Sequence, residues 1–158
     1  MRRYIAIVLV LAACNKNTSS GPTPAFTVSA SINGTPTTFN AIITVDSVST
    51  PGTVYIVAHS DSANLTPLLE ITLSSTPLKP GAYPIADSTT GPQSLLGYTA
   101  WSDSVGTYIQ YPAVSDTVTL TTVMKTWFSG TFRGTCQYSV DSVVSITNGQ
   151  FTVGYTPH

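Results

Sequence analysis

From Ala25 onward the chain is written in short runs where apolar and polar residues alternate, each run closed by residues that favour turns. Alternation with a period of two marks a strand with one buried face. It predicts strands over Phe26–Ile32, Thr37–Val48, Thr53–Ser60, Leu68–Leu73, Gly81–Ile85, Leu96–Trp101, Thr107–Tyr111, Thr117–Met124, Trp127–Cys136, Val143–Thr147 and Phe151–Tyr155. No stretch of eleven or more residues carries an apolar stripe of helical period. Strands at this spacing predict an all-β fold, an antiparallel β-sandwich or flattened barrel of about ten short strands.

The turn residues agree with that reading. Asn33-Gly34 and Asn148-Gly149 are type I′ hairpin signals, because both central positions of that turn want positive φ. Pro80-Gly81 suits a type II turn. All six Asp residues precede Ser or Thr: Asp46, Asp61, Asp87, Asp103, Asp116 and Asp141. Calcium ligation would need several oxygens converging, as in D-x-D-x-D spacing. The pattern instead reads as Asp capping a turn through its side chain before the next strand begins.

Composition narrows the class further. The chain has 158 residues, of which 8% are charged, against about a quarter in an average soluble domain. Ser (19) and Thr (26) fill the polar positions, and Glu occurs once, so helix formers are scarce. The length suits one domain able to bury about two-thirds of its unfolded surface without disulfides or metal. With residues 1–13 removed, four cations (Lys16, Lys79, Lys125, Arg133) stand against seven acids, a net charge of −3. No basic cluster with interleaved aromatics remains, which argues against a nucleic-acid partner.

The first 24 residues follow a different rule. Arg2 and Arg3 precede a ten-residue apolar run, Tyr4 to Ala13, too short to span a bilayer but proportioned as a signal peptide. Leu11-Ala12-Ala13-Cys14 resembles the lipobox of bacterial lipoproteins. That resemblance implies cleavage after residue 13 and lipid attachment at Cys14, with several acyl chains giving stable anchoring where one is marginal. Residues 14–24 then form a lipidated cysteine and tether, since Asn15 to Pro24 has no apolar residue with which to order itself. Its span as a coil is roughly 17–19 Å. Residues 25–158 form the β-domain. The expected place is the bacterial envelope, the membrane being a partner through Cys14. The missing acidic run after Cys14 favours the periplasmic face of the outer membrane over the cell surface.

Catalytic signatures are thin. His59-Ser60-Asp61 holds the three triad types, yet neighbours in a strand point to opposite faces. Glu70, the lone glutamate, alternates onto a face with Thr72, and an Asp partner for it would be needed for glycoside hydrolysis. Two histidines and one cysteine in the domain give no metal-ligand spacing, so neither metal nor cofactor is expected. Cys136 reads as a small buried hydrophobe. The richest stretch runs from Gly97 to Tyr111, a hairpin bearing Tyr98, Trp101, Tyr108 and Tyr111. These rings are candidates either for cross-strand packing or for a ligand platform stacking on sugars.

Four motifs stand in order along the domain: Ala30-Ser31-Ile32-Asn33-Gly34, then Gly81-Ala82-Tyr83-Pro84-Ile85, then Ser129-Gly130-Thr131-Phe132, and last Ile146-Thr147-Asn148-Gly149-Gln150-Phe151 continuing to Tyr155. With the lipobox, this set resembles a family of uncharacterised lipoproteins of the Bacteroidota type. The resemblance implies an all-β lipoprotein domain and transfers no catalytic residue. The expected role is therefore non-enzymatic: binding a glycan or an envelope protein, or a structural part. The rival is a glycan-directed hydrolase using Glu70 and an Asp.

Overall fold

The computed structural model describes residues 24–40, 42–46, 52–63, 66–75, 77–85 and 91–155. The expected leader, Cys14 and all but the last residue of the tether lie outside the described residues, as does Asp87. Ten strands follow in order: β1 (Thr27–Ile32), β2 (Thr35–Thr38), β3 (Ile42–Asp46), β4 (Thr53–His59), β5 (Leu68–Ser74), β6 (Gly81–Pro84), β7 (Gln93–Ser102), β8 (Thr107–Val123), β9 (Trp127–Ser139) and β10 (Ser142–Gly154). The fold is all-β. Every strand pair is antiparallel, in the order β2-β1-β10-β9-β8-β7-β5-β4-β3, with β6 beside β8.

The sheet curls into a half-barrel. β2 and β3 follow one another in sequence yet occupy opposite ends of the strand order. One strand was expected over Thr37–Val48, but the chain leaves one edge at Thr38 and starts the other at Ile42. Phe39 makes the change possible: its ring is fully buried, and its N–H donates to the Val28 carbonyl at 2.8 Å. The Asn40 side chain then accepts from the Val28 N–H at 2.7 Å.

Inward residues alternate along every long strand and meet in one core. Val28, Ile56, Leu69, Ile71, Leu73, Phe128 and Val153 are almost wholly buried there. Glycines admit the largest rings. A Cβ at Gly130 would run into the Phe151 ring, and one at Gly149 into Phe132. Those two rings in turn lie 6.1 Å apart, with Phe128 5.7 Å from Phe151.

Two strands, β8 and β10, are far longer than the expected short ones, because bulges replace breaks. β8 fuses the expected strands at Thr107–Tyr111 and Thr117–Met124 into 17 residues. Between them Ala113 pairs with Cys136 and Ser115 with Thr135, leaving Val114 as an extra, exposed residue. A bulge inverts the alternation beyond it, so Tyr111 and Ala113 face inward before it and Asp116, Val118 and Leu120 after it. Likewise Asn148-Gly149 is not a hairpin turn but a bulge inside β10, Asn148 taking φ +52°. Asn suits either site, since its short polar side chain tolerates left-handed backbone. Asn33-Gly34 is the two-residue turn expected, with φ values of +49° and +83° joining Ile32 to Thr35. Gly81 takes φ +143° as the first residue of β6.

Candidate functional site

The β7–β8 hairpin carries all four aromatic candidates, and its register sorts them. Tyr98 stands opposite Tyr111, and Trp101 opposite Tyr108. Residues three apart on a strand project from opposite faces, so the rings form two pairs rather than one platform. Tyr98 is buried and Tyr111 half-buried, at a centroid distance of 6.1 Å. Trp101 and Tyr108 are 50% and 52% exposed, their rings edge to face at 5.0 Å.

A groove opens beside the second pair. β5 begins at Leu68, opposite Thr99, so β7 runs on through Ala100 and Trp101 past the end of its neighbour. The space left is about 580 Å³, lined by Thr66, Pro67, Tyr98, Ala100, Trp101 and Tyr108. The turn above it is well tied: the Trp101 indole N–H donates to Asp103 Oδ1 at 2.9 Å, and Gly106 N–H to the Ser102 carbonyl at 2.8 Å. An indole held by a carboxylate keeps its orientation when no ligand is present, which lowers the ordering cost of binding. Burial, and next the neighbouring Tyr111, push the Tyr98 hydroxyl above its usual range. Tyr98 therefore meets the groove as a neutral phenol. An apolar ring edge with a polar tip on each side fits a ligand that alternates C–H and O–H faces.

The long strands also fix where this groove sits. β1 begins at Thr27, paired with Thr152 near the far end of β10, whereas the β9–β10 turn at Val140-Asp141 lies at the other end. Tyr138 beside that turn rests 6.2 Å from Tyr111, so both hairpin tips share the end opposite the chain's entry. Along β10 the two ends are on the order of 40 Å apart at about 3.3 Å per residue.

Two other sequence candidates fall elsewhere. Glu70 is on the outer face with Thr72, as its alternation predicts, in a cavity of about 250 Å³ with Gln110, whose Nε2 donates to Glu70 Oε2 at 3.4 Å. Among the described residues lining that cavity there is no second carboxylate. His59 ends β4, and Asp61 accepts from the Ala63 N–H at 2.7 Å, the Asx turn expected of it. Among the described residues, no three of His, Cys, Asp and Glu come together.

Asp116 departs from the turn-cap reading. It lies in mid-strand, 7% exposed, where β8 exchanges β7 for β6 as its neighbour. Its Oδ2 accepts from the Leu96 N–H at 2.8 Å, and Oδ1 is 2.6 Å from Ser94 Oγ, itself 2.6 Å from the Tyr83 carbonyl. Polar groups freed where β7 splays from β8 thus find partners, as burial requires. The alternation held the signal, since beyond the bulge Asp116 shares its face with Val118 and Leu120. Cys136 is fully buried, and burial, then the Asp116 charge, push its thiol up to about 12. It is the small core residue expected.

Compared with protein-family models, curated proteins and solved structures, the chain matches none.

Proposed function

We propose that the protein is a lipid-anchored envelope lipoprotein whose β-domain binds a saccharide, without chemistry, in the groove beside Trp101 and Tyr108. The family resembled in its motifs, the lipobox at Leu11–Cys14 and the Ser/Thr-rich tether support the address. One observation carries the binding reading: an exposed Trp–Tyr pair, oriented by Asp103, overhangs an open groove of about 580 Å³. Large exposed rings held in place on a hairpin tip contribute nothing to the core, while a sugar ring's C–H face would cover them. The groove faces away from the end where the tether enters, so a lipid on Cys14 leaves it open to the surrounding envelope.

The test is a tryptophan-fluorescence titration of the full chain with neutral β- and α-linked glucose oligomers. Saturable quenching by one of them, absent in Trp101→Ala and kept in Glu70→Ala, is the expected result. No response to either series, or a response unchanged by Trp101→Ala, would overturn the groove reading. Loss of a hydrolytic activity in Glu70→Ala would favour the rival. Labelled palmitate should enter the wild-type chain and not Cys14→Ala.

A further inference from the structure

The outer face of β8, β9 and β10 is a hydroxyl surface with one charge in its middle. Beyond the Val114 bulge, Ser115 and Thr117 turn outward on β8, opposite Thr135 and Arg133 on β9. Thr119 and Thr131 extend the surface in one direction, and Ser145 on β10 in another. Arg133 is exposed and makes no hydrogen bond or ion pair with any described residue.

The backbone makes room for it. On β10, Ile146 pairs with Gly134 and Gly149 with Phe132, so the bulged Thr147-Asn148 stands where a direct partner for Arg133 would be. Two concavities result, one on each side of the guanidinium. The first, about 270 Å³, is lined by Ser115, Thr117, Thr135 and Thr147; the second, about 390 Å³, by Thr119, Thr131, Asn148 and Gln150; Arg133 borders both. Asp116 also borders the first concavity, but its carboxylate turns into the core, onto Ser94 and the Leu96 N–H; the residues lining the two concavities include no other Asp or Glu.

A guanidinium without a partner presents a planar fork that matches an oxyanion bidentately. Surrounding hydroxyls both donate and accept, so they suit the ring hydroxyls of the molecule that carries the anion. We propose that this surface is a second saccharide site, separate from the Trp101 groove and selective for sugars that bear an oxyanion. The net charge of the chain is −1, so no general field draws anions to it. The preference is local to Arg133.

Amide-shift mapping on the isotope-labelled protein tests this with three probes: a tri-galacturonate, glucose 6-phosphate and a neutral galactose trisaccharide. An anionic probe should shift amides of 115–119, 131–135 and 145–148 saturably, while the neutral trisaccharide leaves them in place. The tri-galacturonate and phosphate arms tell a carboxylate site from a phosphate site. Arg133→Gln should weaken the anionic probe about fivefold or more, and Arg133→Lys should recover only part of that, since Lys keeps the charge but not the fork. Trp101→Ala should leave this site's titration unchanged, which separates its fate from that of the groove. Raising salt from about 20 to about 500 mM should weaken the anionic probe several-fold, because the pair is exposed and screened. Three results would each overturn the proposal: no shifts at this face with either anionic probe, equal shifts with the neutral one, or an affinity indifferent to Arg133→Gln.

Discussion

Tyr98 and Tyr111 face each other across the β7–β8 ladder, and three residues nearer the tip Trp101 and Tyr108 do the same. The chemistry of the two pairs is almost identical, and their surroundings are opposite. The first pair closes the core and leans on Tyr138, with Ser142 Oγ donating to the Tyr111 hydroxyl at 3.3 Å. The second pair stands in solvent over a groove, its tryptophan fixed by Asp103. Composition cannot separate such pairs; parity along the strand does, because an offset of three residues always crosses the sheet. One pair holds the hairpin to the domain, and the other is exposed beside the groove, where the proposed ligand would cover it.

The largest effect that sharpens this contrast is on stability. Tyr98→Ala should destabilise the fold by about 3–4 kcal/mol, in the range of large-to-small core changes, whereas Trp101→Ala should cost under about 1 kcal/mol, as surface changes do. Denaturant titrations of both variants check this, and equal losses would erase the distinction between the pairs.

A second test reads the inner side by pH. The Cys136 thiol, normally near 9.0, is raised to about 12 in the folded state. The unfolded chain therefore loses that proton first, so stability is full below pH 9 and falls as pH rises from 9 towards 12. Tyr98 and Tyr155, also raised, add a loss of the same sign above pH 10. Urea midpoints at pH 8 and pH 10 should drop in the wild type and stay nearly level in Cys136→Val.

The smallest effect is the coupling within the exposed pair. A double-mutant cycle of Trp101→Ala and Tyr108→Ala should return about 0.5–1.5 kcal/mol for the edge-to-face contact. A value near zero would mean that the rings are held by the turn alone.

Much of this was readable in advance, and the exceptions have a common cause. Alternation marked most of the strands, though it ran β2 and β3 together as one, and the Asn33-Gly34 turn fell where its φ preference required. The hairpin at Gly97–Tyr111 was visible, but not the division of its rings, since that requires knowing the register as well as the residues. Asp116 looked like its five Asp-Ser/Thr siblings and became a buried tie between β7 and β8. Asn148-Gly149 looked like Asn33-Gly34 and became a bulge. In each case local chemistry allowed two outcomes, and a partner strand distant in sequence chose between them. The groove itself was hidden for the same reason: it exists because β5 stops short of β7, a mismatch of lengths that no single segment records.

The extra residue at Val114 has a consequence for how this chain tolerates change. Its side chain is exposed, so most substitutions there should pass unnoticed. Its presence in the count is another matter. Deleting it would rotate the rest of β8 by half a period, turning Val118 and Leu120 to water and Thr117 and Thr119 to the core. The position is free in spelling and fixed in arithmetic: a reading frame for the sheet, carried by a residue whose identity is irrelevant.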